Sequence, residues 1–317
     1  MNRRIAFLFP GQGAQFVGMG KSLHKQKIPH IREIYEEAAD VLGYDLKKIS
    51  FDGPEETLKQ TIYTQPAILT HSVAVAEALR GEGVKPDFAA GHSLGEYSAL
   101  VTAGAMSFAD ALKIVKVRAE SMQKAGETRP GTMAAVMGLK AETVQKACQK
   151  AARSSIVQPA NYNAPDQTVI SGEKKGVTAA GDLCKKAGAK RVVGLKVHGA
   201  FHSPLMESAV EPLRNSLRQA ELDQATVPVV SNVTARPAVR PEEIRELLGL
   251  QIVYPVRWTE SMLELDRMGT TLYLECGPGS VLRGLLKRIL DKPPAEGVSE
   301  ADELPSAVTA ALQGDDE

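Results

Sequence analysis

The sequence predicts an α/β fold, in which a large domain with a mostly parallel sheet flanked by helices carries a smaller domain inserted within it. Three observations lead there. Short, wholly apolar runs such as Ile5-Ala6-Phe7-Leu8-Phe9 suit strands buried on both faces. Such runs alternate with longer stretches of helical periodicity, an order that covers a parallel sheet with helices. Between residues 129 and 197 the order becomes βαββαβ, the split-βαβ or ferredoxin-like pattern. That assigns residues 1–128 and 198–317 to the large α/β domain and 129–197 to the small one.

Taken in order, the first strand is broken by Pro10-Gly11-Gln12-Gly13. Ile31, Ile34, Tyr35, Ala38 and Val41 then share one face of a helix. Residues 66–79 are apolar nearly all round, as in a buried helix, and Pro66 fits its first turn. Phe88-Ala89-Ala90 is a short strand leading into Gly91-His92-Ser93-Leu94-Gly95, with a helix over 96–102. A long helix over 109–125 carries Leu112, Val115, Ala119 and Met122 on one stripe. In the small domain, strands are expected over 132–138, 156–161, 168–171 and 190–197, with helices over 141–152 and 174–187. Asn163-Ala164-Pro165-Asp166 reads as the turn between the middle strands. After His202 follow a helix (206–220), a strand (227–233) and helices over 242–248 and 256–268, the last helical at least from Thr259. A strand over 272–275 ends in Cys276-Gly277-Pro278-Gly279, and a helix over 281–290 follows. The Pro- and acid-rich tail from Asp291 holds one more helix, 304–312.

Composition bounds the function. Lys plus Arg and Asp plus Glu number 38 each in 317 residues. Such balance argues against a nucleic-acid or membrane-surface protein. Cys148, Cys184 and Cys276 show neither C-x-x-C nor metal-ligand spacing, which points to a reducing compartment and no metal site. Met1-Asn2-Arg3-Arg4 with the apolar run behind it has the outline of a secretion signal, but Pro10-Gly11 cuts the run short. No stretch approaches the ~20 apolar residues of a membrane span. The cytoplasm is the expected address.

Chemistry gathers at Gly91-His92-Ser93-Leu94-Gly95, a G-x-S-x-G between strand and helix that fits a hydrolase-like core. The glycines permit a sharp turn, and the helix N-terminus behind it offers free N–H groups and partial positive charge. Ser93 is the candidate nucleophile; an N-cap serine is the structural alternative. The amide of Leu94 would face a developing oxyanion. A serine needs a base. Of six histidines, His24 and His30 lie in polar segments, His71 within a helix, and His92 on the turn itself, where adjacent side chains diverge. His202, at a junction out of a strand, is the preferred base, with His198 the alternative. Arg118 lies on a mainly apolar helix face 25 residues past the serine, where a guanidinium could clamp a carboxylate in two-pronged fashion or stay a solvated surface charge.

Together these segments resemble the malonyl-CoA:acyl carrier protein transacylase family, including acyltransferase domains of polyketide synthases. The matching stretches are Phe9-Pro10-Gly11-Gln12-Gly13-Ala14-Gln15, Gly91 to Glu96, Arg118 with Met122-Gln123, Asn161-Tyr162-Asn163-Ala164-Pro165, Ala200-Phe201-His202-Ser203 and Glu275 to Gly279. The resemblance implies Ser93 as acylated nucleophile and His202 as general base and acid. It implies an oxyanion hole from the amides of Gln12 and Leu94, and Arg118 on the substrate carboxylate. Gln251 would orient His202 through its backbone carbonyl, with His92 as a second supporting residue; Met122, Asn163 and Phe201 would wall the pocket. Phe201 before His202 matches a malonyl-preferring pattern, from which Gly199 departs by standing where that pattern has a histidine.

The expected reaction is ping-pong transfer of malonyl from coenzyme A to the phosphopantetheine thiol of acyl carrier protein, for fatty-acid synthesis, by a monomer needing no bound cofactor or metal. Lys185, Lys186, Lys190 and Arg191 are candidate contacts for an acidic carrier, or simply a solvated charged face. The alternatives are a trans-acting acyltransferase of a polyketide pathway, a serine thioesterase or hydrolase, and a non-catalytic acyl-binding scaffold.

Overall fold

The computed structural model describes residues 3–26 and 30–313. Met1 and Asn2 of the basic start and the last four residues of the acidic tail lie outside the described residues. Ten strands are described: β1 (Ile5–Phe9), β2 (Phe88–Gly91), β3 (Thr132–Met137), β4 (Val157–Ala164), β5 (Gln167–Gly172), β6 (Arg191–Gly194), β7 (Val229–Val230), β8 (Pro237–Ala238), β9 (Leu272–Cys276) and β10 (Ala295–Val298).

Six of them form one sheet in the order β10-β9-β1-β2-β7-β8, parallel throughout except for the β7–β8 pair. Alternate residues of β1 explain why it is apolar on both faces. Ile5, Phe7 and Phe9 pack into the core that contains the helices Thr61–Gly81 and Phe108–Thr128. Ala6 and Leu8 face the opposite core, with Trp258, Met262 and Leu286. Phe9 lies opposite Gly91, so the loop after β1 and the turn after β2 leave the sheet side by side. That register brings the two glycine-rich segments together.

The remaining four strands form an antiparallel sheet, β4-β5-β3-β6, backed by the helices Ala141–Ala151 and Lys174–Lys186. Val136, Val144, Cys148, Ile170, Val177 and Cys184 make its own apolar core. The two sheets are stitched through Val256, which donates its N–H to Ala160 O (2.8 Å) and accepts from Tyr162 N (2.9 Å).

Several boundaries differ from expectation, each for a local reason. The helix assigned to 66–79 begins at Thr61, so Pro66 is internal. Proline deprives the Ile62 carbonyl of its helical donor, and the Tyr44 hydroxyl supplies one instead at 3.4 Å. The strand expected over 190–197 stops at Gly194, because Leu195 and Val197 turn away to line a cavity. The strand expected over 227–233 shrinks to Val229–Val230, and Asn232 leaves to support the turn after β2. Residues 206–220 open as a 3₁₀ turn over Pro204–Ala209 before the α-helix Val210–Gln219. β4 runs on to Ala164, leaving a tighter turn than the four residues expected. β10 was hidden in the tail, since Ala-Glu-Gly-Val shows neither an apolar run nor alternation. His24 is half-buried against the rings of Tyr35 and Phe51, not exposed. No helix among the described residues is long and apolar enough to cross a membrane.

Candidate active site

β2 ends at Gly91, and the helix Gly95–Thr102 begins four residues later. No side chain fits at either glycine. A Cβ on Gly91 would lie 1.9 Å from the Gly95 carbonyl, and one on Gly95 would lie 2.0 Å from Phe9 O. Between them Ser93 is held at φ 53°, a left-handed conformation costing a non-glycine residue about 1–3 kcal/mol. Asn232 offsets that cost by bridging the turn: its Oδ1 accepts the Ser93 N–H (2.6 Å) and its Nδ2 donates to Gly91 O (2.6 Å).

Ser93 Oγ lies 2.8 Å from His202 Nε2. The other ring nitrogen, Nδ1, faces the carbonyls of Gln251 (2.9 Å) and Tyr254 (3.1 Å). Both are acceptors, so Nδ1 carries the proton and Nε2 presents a lone pair to the serine hydroxyl. Burial, and after it the charge of Arg118, pushes the His202 pKa down to about 3, so the imidazole is neutral at physiological pH. Gln158 Nε2 braces the same segment through His202 O (2.9 Å) and Val253 O (3.2 Å). His198, the alternative base, is exposed, and His71 is buried with Nε2 on Ser299 O (3.0 Å).

Arg118 is completely buried on the helix Phe108–Thr128. Its Nη2 donates to Ser93 Oγ (3.1 Å) and Gln251 Oε1 (3.0 Å), and its Nη1 to Gln65 Oε1 (2.8 Å). Among the described residues it forms no ion pair with a carboxylate, and Nε has no partner. A buried charge without a counter-ion is costly; an anionic ligand entering beside Ser93 would relieve that cost.

These groups open on a cavity of about 100 Å³, lined further by Gln12, Leu94, Met122, Asn161, Leu195, Val197 and Phe201. Pockets enclosing drug-sized ligands run to roughly 300–1,000 Å³. This one has room only for a small group beside Ser93. The backbone N–H groups of Gln12 and Leu94 donate no hydrogen bond within the described protein. Unlike the expectation, Asn163 does not line the cavity; its Oδ1 pairs with His92 Nε2 (2.9 Å), and Asn161 is the wall. His92 accordingly engages Asn163 and the Trp258 ring (5.4 Å) instead of His202. At Gly199, a Cβ would come within 2.9 Å of the Phe201 ring, so a side chain there would require that ring to shift. Lys185, Lys186, Lys190 and Arg191 are all exposed, with Lys185 paired to Asp182 (3.1 Å). Among the described residues no three His, Cys, Asp or Glu side chains converge as a metal site would require.

Gln65, Asn232, Gln158 and the Tyr254 carbonyl were not singled out from sequence. The available sign was faint: Gln65 is a polar residue immediately before the apolar helical stretch 66–79, and Asn232 one just past an apolar run.

The acyl transferase domain family model matches residues 6–312. The malonyl CoA-acyl carrier protein transacylase of Bacillus subtilis strain 168 is 44% identical over 314 residues, covering 99% of each chain. That of Escherichia coli K12 is 44% identical over 311 residues, covering 98% of this chain and 99% of its own. The solved transacylase of Coxiella burnetii superposes with a TM-score of 0.95 at 38% identity over 99% of both chains. A malonyl-transacylase solved with its type II polyketide-synthase acyl-carrier protein superposes at 0.92 with 43% identity, covering 96% of this chain and 99% of the other.

Proposed function

The chain belongs to the acyl transferase domain family, and from that premise we propose that it moves a malonyl group from coenzyme A to the phosphopantetheine thiol of an acyl carrier protein, supplying extender units for fatty-acid synthesis. One observation carries this reading: a buried guanidinium without a counter-ion stands 3.1 Å from a hydroxyl that is itself 2.8 Å from an unprotonated imidazole nitrogen.

Malonyl enters with its carboxylate on Arg118 and its thioester carbonyl over Ser93. His202 Nε2 takes the hydroxyl proton as Oγ bonds the carbonyl carbon. The amides of Gln12 and Leu94 hold the tetrahedral oxyanion, often the largest single catalytic contribution. The C–S bond breaks, and His202 returns the proton to the leaving thiolate. The carrier's thiol then enters, gives its proton to His202 and reverses the sequence. No step calls for a metal or bound cofactor. A charge-assisted pair of about 1.5–3 kcal/mol would favour malonyl over acetyl by roughly ten- to a hundred-fold.

Residues 129–197 act as a small domain whose Leu195 and Val197 close one wall and help keep water from the ester. Lys190 and Arg191, a few residues before that wall, would meet the acidic carrier. The enzyme works as a monomer in the cytoplasm. The polyketide reading keeps a place because one similar solved structure is a malonyl-transacylase with a type II polyketide-synthase carrier. Incubation with labelled malonyl-CoA and a panel of holo-carrier proteins tests the proposal. Label should pass to a carrier with wild type and not with Ser93→Ala; release of free malonate at a rate indifferent to any carrier would make the protein a hydrolase.

A further inference from the structure

Glu96 is a buried acidic side chain close to Ser93 that the mechanism above does not use. It sits in the first turn of the helix Gly95–Thr102, is 3% exposed, and forms no ion pair among the described residues. Its Oε2 receives two N–H groups, from Gln251 Nε2 (2.7 Å) and the backbone of Asn232 (3.3 Å). Gln251 Nε2 also donates to Ser93 O (2.9 Å), which leaves Gln251 Oε1 alone to meet Arg118 Nη2 at 3.0 Å.

A glutamine amide can be turned end for end with little change of shape, so its orientation must be dictated by neighbours. Turned over here, it would set its NH₂ against the guanidinium and its oxygen against two acceptors. We propose that Glu96 is a positioning residue, which fixes the sense of the Gln251 amide and so holds Arg118 ready for a carboxylated acyl group. This rests on the transferase reading above and names what sets its selectivity.

The arrangement has a chemical logic. Arg118 is steadied by two amide oxygens, of Gln65 and Gln251, instead of by a carboxylate. An acid bonded directly to Arg118 would compete with the substrate's own carboxylate. Placed one amide away, Glu96 orders the guanidinium without occupying it. Burial pushes the Glu96 pKa up to about 7, against the pull of its hydrogen bonds and Arg118. In either protonation state Oε2 remains an acceptor, since two N–H groups converge on it. The property that matters is therefore acceptance at that point and not negative charge.

The test compares Glu96→Met, which keeps bulk but loses the acceptor, with Glu96→Gln, which can keep it. Steady-state kinetics on malonyl-CoA and acetyl-CoA are measured for both. Glu96→Met should lower the malonyl to acetyl ratio of kcat/KM about tenfold, mainly through the malonyl KM, while acetyl transfer changes little. Glu96→Gln should restore most of the ratio. Equal loss toward both substrates would make Glu96 merely structural, and a Gln variant no better than Met would remove the acceptor argument; either result overturns the proposal. If Glu96→Met does not fold, Gln251→Leu serves, since its main-chain carbonyl to His202 remains. An unchanged ratio in that variant likewise overturns the proposal. A wild-type enzyme that does not prefer malonyl would instead sink the parent reading, so the two failures are distinct.

Discussion

Two main-chain carbonyls, of Gln251 and Tyr254, face His202 Nδ1, and no carboxylate takes their place. A dyad so built lacks the buried anion that would favour the imidazolium, and Arg118 pushes the same way. The consequence is measurable in the acid limb of kcat/KM, which reports the free enzyme's base. The limb should fall well below the ordinary histidine range near pH 6.5. In Arg118→Ala a positive charge is removed and water admitted; both favour the imidazolium, so the pKa rises and the limb for acetyl transfer moves to higher pH. The same variant should lose malonyl transfer by roughly ten- to a hundred-fold while keeping acetyl transfer. Equal loss of both, with an unmoved limb, would make Arg118 a packing residue. Ser93, His202 and Arg118 were legible because each is a chemically loaded type in an apolar or glycine-rich setting. Asn232, Gln65 and Glu96 were not given roles, because an amide or a carboxylate shows its purpose only through the partners that folding brings to it.

At the scale of elements, the loop after β1 and the turn after β2 form one unit. A Cβ on Gly11 would lie 2.4 Å from His92 O, so Gly11 lets the loop rest directly on the turn. Gln12, the next residue, lines the same cavity as Leu94, and its amide is the second oxyanion donor proposed above. Gly11→Ala should displace the loop and weaken one oxyanion donor, slowing Ser93 acylation by about 10²–10³ while circular dichroism stays unchanged. A rate within a few-fold of wild type would remove Gln12 from the oxyanion hole. Element boundaries were read less well than element types. Strand ends depend on how far a partner extends: β7 is cut short where β2 turns into the Ser93 segment. Helix starts depend on rescue from elsewhere, as when Tyr44 accommodates an internal Pro66. Neither kind of information lies within a local window of sequence.

For the whole molecule, the parallel sheet supplies the serine, the long helix Phe108–Thr128, packed against Thr61–Gly81, supplies the guanidinium, and the segment returning from the antiparallel sheet supplies the imidazole. The alternation of apolar runs with helical periodicity made the parallel sheet readable. Its outer strand β10 was not, because an edge strand pairs through its backbone and needs little apolar content. The joint between the sheets was also hidden, resting on main-chain bonds around Val256 that no side-chain pattern announces. What the three regions share is a single cavity, and the central claim is that a malonyl ester forms within it. Intact-mass analysis after brief mixing with malonyl-CoA, followed by peptide mapping, tests this most directly. One malonyl group should appear on Ser93 in wild type, vanish in Ser93→Ala, and be lost again when holo-carrier is added. An unmodified protein, or a malonyl group mapped to another residue, would contradict the account.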